Sequence, residues 1–459
     1  MSRQGVAARE LAAEALLAVD TDDAYVNLLL PRLLSRSKLS RRDRAFVTDL
    51  TYGCVRGLLT YDWVLARCLT QPLSDLDAPV RALLRLGAHQ LLAMDVAPHA
   101  AVSATVEAAR AFTHRGGVGL VNAILRRLAR EADSWIRTIA NIDDPLERRA
   151  IATSHPRDVV QALTSALEAH GLGGDIDELL AADNRSPWVS LVARPSLLAP
   201  EDLADEAERI LDADVAAGEI SPWAVILSHG DPARLPSLAK GHSAVEDEGS
   251  QLVAGIAASV EVGPGPDTTW VDLCAGPGGK TALMAALGGP RVSVIANEIH
   301  PRRARLVKDS CRALPTVSVR VGDGVDMTLD TPADRVLVDA PCTGLGSLRR
   351  RPESRYRARC ADVPVLSNQQ VKLLHHALDI VRPGGVVTYA TCSPHVAETL
   401  KVVERVCQRR GDVEVVSASE VARSLAPAPS LLGSDTPHLQ LWPHIHGTDA
   451  MFAACLRRK

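Results

Sequence analysis

From about Ser250 onward the chain alternates short apolar runs with helix-length segments, and this rhythm restricts its fold more than any other feature. The runs "TTWVDLC", "RVSVIANE", "VSVRVGD", "DRVLVDAP" and "GVVTYATCS" are interspersed with "TALMAALGG", "RRARLVKDSCRAL", "NQQVKLLHHALDIVRPGG" and "AETLKVVERVCQRRG". Strands joined through helices need right-handed crossovers, so a mostly parallel sheet covered on both faces is expected. In such a sheet ligands and chemistry gather at the carboxyl ends of the strands. Each strand end is therefore a candidate for function.

The first strand end reads "VDLCAGPGGKT", Val271 to Thr281, and its tail imitates a phosphate-binding loop. A P-loop of the form G-x-x-x-x-G-K-[ST] needs its first glycine to start the turn around the phosphates, and Cys274 stands there. A dinucleotide fingerprint fails as well, because Thr281 occupies its third glycine position. What remains is an acid, Asp272, a glycine-rich turn and a helix starting near Lys280, an arrangement that admits a ligand close to the backbone. A nucleoside triphosphatase is disfavoured.

The next strand closes on Glu298, where a carboxylate can accept from both hydroxyls of a ribose, and the third on Gly322-Asp323-Gly324, within reach of an adenine edge. Acid, glycine turn, acid and acid at successive strand ends is the layout of an S-adenosylmethionine site.

The fourth and fifth ends carry thiols, in Asp339-Ala340-Pro341-Cys342-Thr343-Gly344 and Ala390-Thr391-Cys392-Ser393-Pro394. A lone cysteine at a strand end usually serves as a small hydrophobe. Two beside a methyl-donor pocket suit the methylation of an unactivated pyrimidine carbon: a thiolate adds to C6 of cytosine, and C5 becomes nucleophilic. The base must then be single-stranded or flipped from its stack. Thiol chemistry alone leaves open which cysteine attacks.

The rest of the 459 residues is organised differently. From Ala7 to about Arg130 every stretch carries apolar residues at helical spacing, which predicts an all-α bundle. Between about Ala150 and Glu246, short apolar runs such as "PWVSLVARPSLL" and "WAVILSHG" predict a small α/β subdomain. The expected domains are thus 1–135, a linker with subdomain over 136–245, and a Rossmann-like catalytic domain over 246–459. The nine cysteines form no C-x-x-C pair, which argues against a disulfide framework or a zinc site. No run approaches the roughly 18 apolar residues of a membrane span. A cytoplasmic, metal-free monomer is expected, and with a net charge of −4 any nucleic-acid contact must be a local patch.

The helical segments "DDAYVNLLLPRLL", "RRDRAFVTDLTYGCVRG", "LRLGAHQLLAMDVAPHAAVSATVEAAR" and "VNAILRRLARE" resemble, in order, those of the NusB-like RNA-binding domain. "DLCAGPGGKT", "VLVDAPCTGLGSLRRRPESRYR" and "YATCSPHVAET" resemble the Nop2/Sun family of RNA 5-methylcytosine methyltransferases, and the leading NusB-like domain resembles its bacterial small-subunit ribosomal RNA methyltransferase B branch. That resemblance implies S-adenosylmethionine-dependent methylation of cytosine C5 in 16S-type ribosomal RNA. It also implies Cys392 as nucleophile, Cys342 in product release, and Asp339 against the polar edge of the cytosine. It places the cofactor against Cys274, Ala275, Gly276, Pro277, Gly278, Gly279, Lys280, Glu298, Arg303, Asp323 and Asp339. Three features depart from the family pattern. Gly276 stands where the family usually has alanine, "RRRPESRYR" replaces a segment close to "RRHPDIKWR", and Ala450 and Met451 interrupt the closing "GTDGFF".

Arg349, Arg350, Arg351, Arg355, Arg357 and Arg359 face one acid, Glu353, directly after the Pro-Cys motif, and form a candidate phosphate clamp in which Tyr356 stacks on a base. Arg41, Arg42, Arg44, Arg126 and Arg127 form a second, weaker candidate surface. Two rival readings stand beside ribosomal RNA methylation. One is the same chemistry on transfer RNA, and the other is a non-catalytic RNA-binding assembly factor, which would have no use for both thiols.

Overall fold

The computed structural model describes residues 3–22, 24–357, 360–433 and 436–459, and they divide into two compact units. The first takes in 1–161 and 348–357, and the second 162–347 and 358–459.

The first unit is helical, as the spacing predicts. Its principal helices are Arg3–Thr21, Val26–Arg36, Arg41–Arg56, Leu58–Cys68, Ala78–Leu92, Pro98–Ala109 and Arg115–Ala140. Their apolar stripes converge on one core, in which Leu50, Leu65, Leu83, Leu84, Leu125 and Leu128 are wholly buried. Gly87 lets two of the helices approach closely, because a Cβ there would come within 2.4 Å of Leu125 Cδ1. Helix starts are capped locally: Ser40 Oγ accepts from Asp43 N–H, and Asp144 Oδ1 accepts from Leu146 N–H at 2.9 Å. The bundle extends past the expected limit at 135, through the helix Pro145–Thr153, and also claims Leu348–Arg357.

The second unit holds two sheets. The smaller consists of β1 (Val189–Ala193), β2 (Val215–Ala217), β3 (Ala224–Leu227) and β4 (Ser243–Val245), all antiparallel, in the order β2-β3-β1-β4. It is covered by the helix Pro200–Leu211, whose Leu203, Ala207 and Leu211 are buried against Leu191, Val225 and Leu227. This region is not a free-standing subdomain, since Val192, Ile220 and Trp223 share one core with Leu252, Ile256, Leu283 and Val294 further along the chain.

The larger sheet contains β5 (Thr269–Asp272), β6 (Ser293–Glu298), β7 (Val317–Val321), β8 (Ala333–Asp339), β9 (Val381–Thr391), β10 (Val413–Val416), β11 (Leu439–Gln440) and β12 (Phe452–Arg458). Its order is β10-β12-β9-β8-β5-β6-β7, with β11 paired to β12. Strands β5 to β9 run parallel, as the βα rhythm requires, and β12 enters antiparallel beside β9. The helix before β9 ends at Ile380, earlier than its apolar spacing suggests. Pro383 cannot continue a helix, and Gly384 adopts φ +77°. The carboxyl ends of β5, β6, β8 and β9 therefore lie along one edge. Among the described residues no helix is long and apolar enough to cross a membrane.

Candidate active site

The glycine turn after β5 is built for close backbone approach. Gly278 has φ +106°, and a Cβ there would lie 2.8 Å from Val307 Cα, so no other residue fits without displacing the next helix. Ala275 N–H donates to Asn297 O at 2.8 Å, while Asn297 Nδ2 donates to Leu273 O at 3.2 Å and Gly322 O at 3.0 Å. One asparagine thus ties together the chain beyond β5, β6 and β7.

Asp272 is buried at the end of β5 and accepts from Thr281 Oγ1 at 2.6 Å. Burial pushes its carboxyl up to about 7 despite that hydrogen bond. Cys274 is half-buried, and desolvation holds its thiol far above the ordinary range. Glu298 is 3% exposed; Oε2 accepts from Gly276 N–H and Oε1 from His300 N–H, each at 3.0 Å. Each oxygen keeps a further lone pair. Arg303 Nη2 donates to Gly276 O at 2.6 Å, with Nε 3.5 Å from Glu298 Oε2, so it braces the turn and the acid together. Pro277 is exposed at the tip of the turn. Asp323 is also exposed, and its Oδ1 accepts from Val325 N–H at 3.1 Å.

On the other side of β5, Lys280 Nζ lies 2.9 Å from Asp339 Oδ2 at the end of β8 and 3.2 Å from Ser250 Oγ. Beyond β8 and β9, Cys342 Sγ and Cys392 Sγ stand 3.5 Å apart although 50 residues separate them in sequence. The hydrogen bond to Cys392, together with burial, holds the Cys342 thiol well above its ordinary range. Cys342 is thereby kept as an S–H donor toward Cys392. Lys280 is electrostatically coupled to the same sulfur. Both neighbours favour Cys392 as the thiolate, a distinction that the sequence left open.

Glu246 and Ser250 belong to this cluster, and sequence reasoning missed both. Glu246 Oε2 is buried without a hydrogen-bond partner, and its carboxylate would lie 2.9 to 3.0 Å from a Cβ on Gly279. In "VEDEGSQ" these acids read only as the start of the helix Glu248–Ser259, which Asp247 does cap.

The arginine segment expected as a phosphate clamp is placed otherwise. Arg349 and Arg355 are buried, and Leu348–Arg357 belongs to the helical unit. Arg355 Nη1 donates to Arg56 O and Ser154 O at 3.4 and 3.3 Å. Arg357 Nη2 donates to Val19 O and Ala24 O, with its guanidinium 5.0 Å from the Tyr25 ring. The Tyr356 hydroxyl is within 2.9 Å of Ser154 Oγ and 3.0 Å of Arg56 O, so its polar end is already committed within the protein. Arg350 is half-buried and Arg351 is exposed, whereas Arg359 lies outside the described residues. Donors that the sequence assigned to phosphates are here spent on backbone carbonyls.

Residues 260–457 match the model of a family described as 16S rRNA methyltransferase RsmB/F, and residues 6–130 match the NusB family. The chain is 46% identical over 457 residues to the putative methyltransferase Rv1407 of Mycobacterium tuberculosis (strain ATCC 25618 / H37Rv), covering 98% of this chain and 96% of that relative. It is 30% identical over 437 residues to the ribosomal RNA small subunit methyltransferase B of Pseudomonas putida KT2440, covering 94% and 96%. Among solved structures, that of the protein PH0851 aligns with a TM-score of 0.82 at 22% identity, covering 100% of this chain and 99% of that one, and so shares its fold.

Proposed function

Because the chain belongs to the RsmB/F family of 16S rRNA methyltransferases and carries a NusB-family N-terminal domain, we propose that it methylates C5 of a cytosine in small-subunit ribosomal RNA. The methyl donor in this reading is S-adenosylmethionine. The observation that carries it is the 3.5 Å pairing of Cys342 Sγ with Cys392 Sγ beside the Lys280–Asp339 ion pair.

The first strand ends suit that donor. Glu298 keeps lone pairs for ribose hydroxyls, Asp323 is open to an adenine edge, and Cys274 to Lys280 offer a turn of bare backbone. Bound there, the donor supplies an electrophilic sulfonium methyl group.

Cys392 Sγ, as thiolate, bonds to C6 of the cytosine and shifts the C5–C6 electron pair toward C5. Asp339 accepts from the cytosine amino group, and Lys280 at 2.9 Å offsets the negative charge gathering on the ring. After C5 gains its methyl group, loss of the C5 proton restores the C5–C6 double bond as the C6–S bond breaks, releasing the Cys392 thiolate. Cys342 assists this second half. The target base must leave its stack to meet both thiols.

Bisulfite sequencing of ribosomal RNA from cells with and without the gene tests the assignment. Loss of one small-subunit 5-methylcytosine is expected, and an unchanged cytosine map overturns it.

A further inference from the structure

We infer that Glu398 is the positioning residue that fixes the two thiol-bearing loops in one reacting geometry; this rests on Cys392 and Cys342 being the reacting thiols. Strand pairing alone does not set that geometry. β8 and β9 are in parallel register only as far as Asp339 and Ala390, and both cysteines lie beyond it. Past that point the loops are joined through a single carboxylate.

Glu398 is 0% exposed, and both of its oxygens are occupied. Oε1 accepts from Thr343 N–H at 2.9 Å and from Gln370 Nε2 at 3.2 Å. Oε2 accepts from Thr343 Oγ1 at 2.5 Å and from Ser393 Oγ at 2.7 Å. Thr343 directly follows Cys342, Ser393 directly follows Cys392, and their hydroxyls are 3.1 Å apart. Gln370 Nε2 also donates to Pro341 O at 2.9 Å, so the residues on both sides of Cys342 are held.

The clamp is itself anchored. Glu398 O accepts from the buried Tyr389 hydroxyl on β9 at 2.6 Å, and Glu398 N–H donates to His395 O at 2.8 Å. A buried anion is tolerated here because its donors converge on it, and charge-assisted bonds of this kind are short and directional. The expense of burying that charge is unnecessary if the loops need only be closed. It is explained if two sulfurs must be held at contact distance. Reacting groups misplaced by about 1 Å can lose on the order of 100-fold in rate.

The test uses the full-length protein with unmodified 16S ribosomal RNA and S-adenosylmethionine. It compares Ser393→Ala, Thr343→Val, Glu398→Gln and Glu398→Ala by turnover, by covalent protein–RNA adduct surviving denaturation, and by thermal unfolding. Ser393→Ala is expected to slow adduct formation. Thr343→Val is expected to let adduct accumulate, as Cys342→Ala should. Each should lower kcat by about 10- to 100-fold, with the KM for RNA and the unfolding temperature little changed. Glu398→Gln, which still accepts from Thr343 N–H, should retain more turnover than Glu398→Ala. Should the latter fail to fold, the Ser393 and Thr343 variants still decide the matter. Unchanged kcat and adduct levels in those two variants, or losses that only track folded protein, overturn the inference. Methylation that survives Cys392→Ser overturns instead the thiol assignment on which it rests.

Discussion

Lys280 Nζ lies 2.9 Å from Asp339 Oδ2, joining the start of the helix after β5 to the end of β8. Although burial opposes its charge, Asp339 and Glu246 hold the ammonium well above its ordinary pKa, so it remains protonated throughout the working range. Lys280→Met removes the cation that favours the Cys392 thiolate and leaves Asp339 unpaired. Turnover should fall by about 100- to 1,000-fold. The alkaline rise of the pH–rate profile should also move to higher pH, because the thiolate then forms less readily. A profile in the same place would show that Lys280 does not act on the nucleophile.

Glu246 has the opposite balance. Burial pushes its carboxyl up to about 7, and Lys280 and Arg194 offset only part of that. Between its ordinary value of 4.5 and about 7, the folded protein binds more proton at this position than the unfolded chain does, so its contribution to stability falls as pH rises. Relative to wild type, Glu246→Gln should gain on the order of 1–3 kcal/mol between pH 5 and pH 8. Urea unfolding at both values checks this; an equal difference at the two would contradict it.

Gly276, where the family usually carries alanine, does more here than loosen a turn. A Cβ at this position would fall 2.1 Å from Glu298 Oε2 and 2.8 Å from Arg303 Nε. Gly276→Ala should therefore force the carboxylate off the Gly276 N–H and cost roughly 1–2 kcal/mol, measured by denaturant unfolding. Unchanged stability would mean that this hydrogen bond contributes nothing net.

Tyr356 separates a structural from an RNA-stacking role. Tyr356→Phe keeps the ring but loses the contacts to Ser154 and Arg56 O. It should destabilise the protein by about 1–2 kcal/mol with RNA affinity unchanged. Lower RNA affinity at unaltered stability would restore the stacking role read from the sequence.

Much of the second unit was legible because its signals are local. A glycine turn after "WVD", acids closing β5 and β6, and cysteines just past β8 and β9 all sit at strand ends that apolar runs make visible. The arginine segment was misread because a basic run normally implies a solvated face, and nothing local shows that Arg355 and Tyr356 bond to carbonyls about 200 to 300 residues away. The same distance concealed the membership of Leu348–Arg357 in the helical unit. Glu398 stood inside a quoted motif, yet its role depends on donors from Thr343 and Gln370, which only folding brings to it.

The central claim is the division of labour between the two thiols, and trapping the covalent intermediate tests it most directly. Full-length Cys342→Ala and Cys392→Ser proteins, incubated with unmodified 16S ribosomal RNA and S-adenosylmethionine, are run on denaturing gels. The account predicts a stable protein–RNA adduct with Cys342→Ala and neither adduct nor methylation with Cys392→Ser. Adduct from Cys392→Ser and none from Cys342→Ala would show that the roles are reversed.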